Sequence, residues 1–424
     1  MTGLIHKRVP AGALLYVVSI SLVIGLLLSF FILFISYKKL YREQLVISSN
    51  LLRNAESGIN LLRADKNLAK FEAQSKDLFG TGKDSVSLKQ IPWGVFDVLV
   101  STATFKNKQE QLIALAGPGI DSEEKTALYI ADLDRPVSVS GDTRLKGTCY
   151  IPKAGIKPAF VEGSSFTGSK IIDGITKNSN QQLPALDNTW LENLVQLSKR
   201  QFLSPGIERM ALPFDSARQS FTKPTQLIEE QGTLTLSHVT LRGNIIISTS
   251  RKVIIEADCH LSDVMIVAPY IRVKEGFEGQ VNCVSSDSII IEKKVKLRYP
   301  SSLVVVREAP ENVTPFISVD EDAELCGVFL CWQKGFDIRF QPKLMFSKNT
   351  FIKGQIYSNG YVGLNSCTVA GSVYANKLIL ATGSAVYENH LLNTSIDGTR
   401  LPNQFAGLCF KDRVNTNSLA KWLY

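Results

Sequence analysis

Residues 241–297 repeat with a period of 18, and no other feature constrains the fold as tightly. Leu241, Cys259, Phe277 and Val295 fall in one column. Val253, Ile271 and Ile289 form a second, Ile255, Val273 and Ile291 a third, and Ile247, Met265 and Cys283 a fourth. Every column is apolar. The second and third lie two residues apart, so both point to one face of an extended strand. Period two nested in a longer fixed period is what a β-solenoid produces, each coil covering the apolar edge of the one before. Gly243, Leu261, Gly279 and Leu297 share a further column, which predicts a corner that takes a close backbone or a side chain.

The register predicts a mainly β chain with a right-handed parallel β-helix over residues 232–400. Its strands are expected at 244–248, 253–256, 264–267, 270–273, 288–292 and 303–306. Gly354-Gln355-Ile356-Tyr357-Ser358-Asn359 recurs 17 residues on as Gly371-Ser372-Val373-Tyr374-Ala375-Asn376, a second register. Between the two, residues 307–350 carry Pro310, Pro315 and Pro342 and are expected to bulge out as an insertion. Residues 401–424 end on Leu419-Ala420-Lys421-Trp422-Leu423-Tyr424, which reads as a cap over the last coil.

Ala11 to Tyr37 contains no charged residue and no Asn, Gln or His. As a helix it would be about 40 Å long, more than the roughly 30 Å hydrocarbon core of a bilayer. It reads as an uncleaved, single-pass signal anchor behind a short tail, residues 1–10. Lys7 and Arg8 flank one side, and Lys38, Lys39 and Arg42 the other, where they would meet lipid headgroups. Long domains translocate largely regardless of flanking charge, so the expected layout is a bacterial inner-membrane anchor with the large C-terminal part outside the cytoplasm.

Residues 38–79 keep a helical pattern, with Leu45, Leu52 and Ile59 seven apart and Ala55 and Leu62 beside them. A helical stalk is expected, with Gly58 its weak point and Gly80-Thr81-Gly82 its stop. Residues 80–140 read as a small antiparallel β subdomain with strands at 95–100, 112–115, 127–130 and 137–139. Residues 141–231 hold expected early coils at 145–149 and 165–169, and a helix at 186–199 with Asp187 or Asn188 as its cap. They end in a loop-like linker or docked strand from Pro205 to Pro224.

Four resemblances follow from these residues. Lys7-Arg8-Val9-Pro10-Ala11-Gly12, followed by Ala13-Leu14-Leu15, resembles the start of a type IV prepilin or pseudopilin. In that family a basic leader precedes a Gly or Ala cleavage point, and the hydrophobic helix runs on into an amphipathic one. This stretch lacks the acidic residue that the family places early in the helix. The coil is similar to the right-handed β-helix of pectate-lyase-type proteins. The rung length and the Gly-x-Ile/Val-Tyr pattern resemble bactofilins, which are polymer-forming scaffolds. The layout as a whole resembles uncharacterised envelope proteins of Bacteroidota.

No constellation for chemistry stands out. Hydrophobic residues are 45% and charged residues 20%, as in a folded chain. The net charge of +8 is spread. Its densest distal cluster, Lys293, Lys294, Lys296 and Arg298, alternates with Val295 and Leu297 as a solvated strand face. No aromatic interleaving supports a nucleic-acid partner.

The seven cysteines, Cys149, Cys259, Cys283, Cys326, Cys331, Cys367 and Cys409, are odd in number and scattered, which is no disulfide framework. Cys259 and Cys283 are expected to be buried, and His260 to face solvent. His238, His260 and His390 are not spaced with cysteines for metal. Asp258 and Asp263 have no stacked acidic partner, and Asp320, Glu321, Asp322 and Glu324 read as a solvated loop. Gly163-Ser164-Ser165 lacks the second glycine of a nucleophile elbow.

Catalytic, cofactor-binding and metal residues are therefore expected to be none. The expected role is non-enzymatic: a membrane-tethered envelope structural or assembly protein with lipid bound by residues 11–37 and protein partners in the envelope. The alternatives are a carbohydrate-binding or carbohydrate-cleaving β-helix and a bactofilin-like polymer. An exposed row of aromatics and carboxylates on one face would favour carbohydrate; the sequence offers Tyr270, Phe351, Tyr357 and Tyr374 but no carboxylate row.

Overall fold

The computed structural model describes residues 11–423 except 66–67, 70–72, 79, 81–83, 121–124, 203–205, 214, 310–311, 336, 384 and 413–415. The tail with Lys7 to Pro10 lies outside the described residues, as do Thr81, Gly82, Pro205, Pro310 and Tyr424. The chain is mainly β behind one long apolar helix, α1, which spans Ala11–Ala64. A second helix, α2, spans Asn188–Ser198, and the Asp187 side chain caps it by accepting from Trp190 N at 2.9 Å.

Most strands belong to one 24-stranded sheet built on parallel pairs. The pairs run in three ladders. One inward column can be followed through a whole ladder: Met210, Ile228, Ile247, Ile266, Cys283, Leu303, Phe329, Ile356 and Val373. It continues through Leu128, Cys149 and Thr176. At about 4.8 Å per strand the stack is roughly 50 Å long. Its interior is a single apolar cluster drawn from all three ladders. The ladder through Ile246 and Val304 is apolar on its outer face as well, where Val267, Val284, Val304 and Leu330 pack in a second cluster. Both faces of that ladder are covered, which is why its strands read as unbroken apolar runs.

The 18-residue period holds in two columns and slips in two. Val253, Ile271 and Ile289 stack, as do Ile255, Val273 and Ile291. The later Gly354/Gly371 and Tyr357/Tyr374 register also holds. Ile247, however, stands opposite Ile266 and not Met265, which pairs with Ile246. The pairing shifts between Ser262 and Val264, leaving Asp263 as an extra residue at φ 62°. A bulge of this kind turns the following side chains to the other face. Leu241 stands opposite Leu261 and not Cys259, because that repeat is longer than 18 residues. Gly243 therefore leaves the predicted corner column. At φ 94° it lies against the preceding layer, where a Cβ would come within 2.0 Å of the Gln219 carbonyl oxygen.

The expected 307–350 insertion is a correction too. Phe316–Val319, Glu324–Gln333 and Lys343–Phe346 are members of the ladders, with Ile317 on Ile289 and Leu344 on Ile317. The extra residues go into the connections at 308–315 and 334–342, where lengthening a loop costs little. Nor does the stack begin at 232. Glu208–Met210 and Ser216–Gln219 already pair with later strands, so the 205–224 segment supplies docked strands.

The early strands sit where the sequence order does not suggest. Thr126–Ile130, Val137–Ser140 and Arg144–Lys146 pair parallel with the strands of residues 368–397 and extend the stack beyond its last layer. Residues 126–140 thus leave the predicted β subdomain, because Thr126–Ile130 is buried along its whole length. Leu145 to Cys149 is in the stack as expected, but Ser164–Ser165 forms a two-stranded antiparallel hairpin instead. From Thr176–Asn178 the chain returns along the outer face through α2 to start again at 208. Tyr129 and Tyr357 hydroxyls fasten this return by donating to the Gln182 and Pro184 carbonyls, at 3.3 and 3.2 Å.

The antiparallel subdomain proper comprises Asp84–Trp93, Phe96–Phe105 and Lys108–Pro118, with Gln74–Lys76 on one edge. Its other edge is Asn417–Leu423, which pairs antiparallel with Lys108–Pro118. The C-terminal residues are therefore an edge strand and not a cap. The strands 126–146 already cover the last layer, whereas the subdomain offered an unpaired edge. Replacing Ile289 by Asp would place an unpaired charge in the interior, at a cost of more than about 4 kcal/mol. The expected outcome is loss of the β-sheet circular dichroism signal; unchanged melting of Ile289→Asp would show the register to be wrong.

Candidate functional site

Helix α1 is the element with the clearest functional geometry. Its large apolar residues from Leu14 to Val46 stand exposed, and it is long and apolar enough to cross a membrane. Over its last turns it is packed. Leu51, Ala55, Ile59 and Leu62, spaced for one face of a helix, bury against Val86, Leu88, Leu99 and Ala114 of the antiparallel sheet. Of the expected heptad row, Leu45 and Leu52 face solvent and Ile59 is buried, with the flanking Ala55 and Leu62 completing the packing face. The helix ends at Ala64, well short of the expected stalk to 79, and the chain pairs again as a strand at Gln74–Lys76. Polar ties run along the contact. Ser48 Oγ donates to Glu110 at 2.8 Å, Asn54 Nδ2 to Asp84 at 2.7 Å, and Arg63 Nε to the Asn417 carbonyl at 3.3 Å.

Gly58 is the point of closest approach and not a weak point. A Cβ there would lie 2.1 Å from Ser101 Oγ and 2.7 Å from Leu88 Cδ2.

The sheet is in turn fixed to the parallel stack. Trp93 meets Phe221 edge-on with ring centroids 5.2 Å apart, and Trp190 Nε1 donates to the Val95 carbonyl at 3.2 Å. Lys421 on the edge strand reaches the bulge residue Asp263 at 2.7 and 2.8 Å and the Gln280 amide oxygen at 2.8 Å. Gln280 also donates to Asp263 at 2.7 Å. Sequence reasoning missed this joint because its members lie far apart in the chain. The one signal was a carboxylate in the apolar run Val264 to Val267 opens.

The other sequence candidates do not assemble. Asp258 accepts from the His238 backbone N–H at 3.0 Å, which with the imidazole holds its carboxyl below the usual range. His260 is exposed as expected. His390 is buried against Tyr387 with centroids 5.6 Å apart, and burial pushes its pKa down. In the acidic cluster, Glu321 pairs with Lys293 at 3.1 Å, Glu324 with Lys296 at 3.8 Å, and Asp322 accepts from Asn349 at 3.2 Å. Asp320 accepts from the Glu321 backbone N–H at 2.9 Å. Gly163 lies in the turn of the 160–165 hairpin.

None of the seven cysteines is joined in a disulfide, and Cys259 and Cys283 are buried as expected. Burial pushes Cys149, Cys283, Cys331 and Cys367 up to about 12 and Cys259 up to about 11. Such thiols are poor nucleophiles. Tyr357 and Tyr374 are buried beneath Phe410 and form no exposed row. Among the described residues no group of three or more His, Cys, Asp or Glu could hold a metal ion.

Among the described residues, several recesses open on the stack, two of them with polar linings. One of about 240 Å³ lies beside the Lys421 joint and is lined by Arg218, Arg242, Phe221 and Trp422. The other, about 360 Å³, is lined by Trp332, Gln333, Gln341, Asn359 and Asn376. Gln333 is 1% exposed, and neither atom of its side-chain amide has a partner among the described residues.

No family model matches the chain, and no curated protein matches it. Among solved structures it is similar to the competence-associated pilin ComZ from Thermus thermophilus, at 10% identity over 88% of this chain and 97% of that one. The TM-score is 0.22.

Replacing Gly58 by Ala would raise helix propensity by about 1 kcal/mol in an exposed helix. Here it is expected to destabilise the full chain by about 1–3 kcal/mol through overpacking. Adding Ser101→Ala should recover part of that loss in a double-mutant melting series, and strict additivity would place the helix elsewhere on the sheet.

Proposed function

We propose that this chain is a membrane-tethered structural protein of the bacterial cell envelope with no catalytic role. In this reading residues 11–37 span the inner membrane, the short N-terminal tail stays in the cytoplasm, and everything beyond lies outside it. The three ladders close into a right-handed parallel β-helix, a stiff body of the kind that scaffolds an assembly. The observation that carries the reading is α1 itself. One unbroken helix is bare and apolar at its start, and at its end it is clamped to a sheet that is itself clamped to the stack. Position in the membrane is thereby coupled to the whole body. The uncharged stretch runs without a break into an amphipathic one, the order the prepilin-like start implies, which favours a pilus-like or secretion apparatus.

A second reading, carbohydrate binding, is favoured by the recess at Trp332 and Gln333. Amides supply both donors and acceptors to hydroxyl groups, and an indole offers a flat apolar wall. A bactofilin-like polymer needs an open end that stacks on another copy. The stack runs on past residues 395–397 through Arg144–Lys146 and stops at the short, largely polar strands Ile172–Asp173 and Thr176–Asn178.

Topology tests the first reading. A Glu321→Cys variant in a Cys326→Ser background leaves every other cysteine buried. Labelling by a membrane-impermeant maleimide before the inner membrane is opened is the expected result; protection until then would place the body in the cytoplasm and sink the envelope reading. On the carbohydrate reading, envelope polysaccharide should quench tryptophan fluorescence, and Trp332→Ala should remove the response. A response that survives Trp332→Ala, or none in the parent, rejects that reading.

A further inference from the structure

The outer face of the stack follows a charge pattern. Several of its cations are met by a carboxylate one layer away: Arg272 by Glu292 at 2.6 Å, Lys294 by Glu275 at 3.2 Å, and Lys293 by Glu321 at 3.1 Å. This is the usual cross-strand arrangement of opposite charges. At Arg218 and Arg242 the pattern inverts. The two residues are direct partners in one parallel ladder, Arg218 on Ser216–Gln219 and Arg242 on Thr240–Gly243. The backbones are therefore about 4.8 Å apart, and like charges so placed repel. Both side chains are exposed. Among the described residues neither has an ion-pair or hydrogen-bond partner. The carboxylate of Asp263, in the next layer, is already taken by Lys421 and Gln280.

Both guanidinium groups line the 240 Å³ recess, and Lys421 forms its third basic wall. The rest of the lining is mixed: the Asp263 carboxylate, which Lys421 neutralises, with Gln219 and Ser262, and the apolar Phe221 from the first layers and Trp422 from the edge strand. Two guanidinium groups on paired strands, with no ion-pair partner among the described residues, beside aromatic side chains and a lysine whose charge Asp263 balances, are the parts of an anion site. Guanidinium groups suit tetrahedral oxyanions because each offers paired N–H donors to two oxygens. The recess is large enough for an anionic group together with a ring-sized apolar part.

We infer that this recess binds a phosphate monoester whose apolar portion lies against Trp422 and Phe221. The phosphate oxygens bridge Arg218 and Arg242 and supply the negative charge that the ladder lacks there. Binding would also tie the C-terminal edge strand to the first layers of the stack, since the site takes residues from both. The inference does not depend on where the chain sits relative to a membrane.

The test uses the full chain in detergent, with inorganic phosphate and phenyl phosphate as probes at constant ionic strength. Calorimetric titration should give saturable binding of both, with phenyl phosphate at least tenfold tighter. Arg218→Ala and Arg242→Ala should each weaken binding at least tenfold, and Arg→Lys at either position less than that. Trp422→Ala should erase the preference for phenyl phosphate. Without ligand, Arg218→Ala should melt no lower than the parent, because it removes a like-charge contact; phosphate should raise the melting temperature of the parent but not of the double Arg→Ala variant. Absence of saturation, an unchanged affinity in the double variant, or benzoate binding as tightly as phenyl phosphate would each overturn the assignment. So would a ligand-free Arg218→Ala protein that melts well below the parent, which would make the arginine a structural residue.

Discussion

The whole structure depends on one contact repeated from layer to layer: an apolar side chain resting on the apolar side chain of the strand beneath it. The column from Met210 to Val373 and on to Leu128 is that contact drawn out along the stack. No layer has an interior of its own. Each exposes an apolar edge until the next is laid on it, so the ends of the stack are the problem any such chain must solve. Here one end is solved by the chain's own beginning. Residues 126–178 wind on beyond residue 397, and the chain then doubles back along the outside to start the main run at 208.

That route accounts for the second apolar cluster. The return segment with α2, the residues after Leu401 and the antiparallel sheet all lie on the outer face of one ladder, over Val267, Val284, Val304 and Leu330. The tyrosines Tyr357, Tyr374, Tyr129 and Tyr150 stack along the same face, and their hydroxyls reach the backbone of the return segment where Tyr129 and Tyr357 meet it. Both ends of the described chain meet at the antiparallel sheet, α1 across its face and Asn417–Leu423 along its edge. A load on α1 is therefore passed to the stack through packed apolar surface and one ion-paired joint, Lys421 with Asp263.

The reading of the repeat was right where the strand alternates cleanly and wrong where the backbone departs from it. Val253, Ile271 and Ile289 keep the 18-residue spacing because no bulge intervenes. Met265 does not, since the single residue Asp263 inserted ahead of it flips the side-chain order. The prolines at 315 and 342 suggested an insertion, yet they only lengthen connections between strands that keep their places. Gly58 read as a weak helix residue because propensity is local; its role is to let a sheet come close. The stacked Arg218 and Arg242 were invisible for the same reason. They are far apart in the chain, and only the pairing of their strands makes them neighbours.

The sequence by itself determined the elements: a helix long and uncharged enough to span a bilayer, and a train of strands whose period-two apolar faces demand parallel stacking. Periodicity encodes which face of each element must leave water, and that is a local property. The tertiary structure alone decided the order of the layers, the place of residues 126–178 at the far end, and the use of the C-terminal strand as an edge. Each of these is a choice among equally apolar surfaces. What settles it is complementary fit between residues hundreds of positions apart, which no local pattern records.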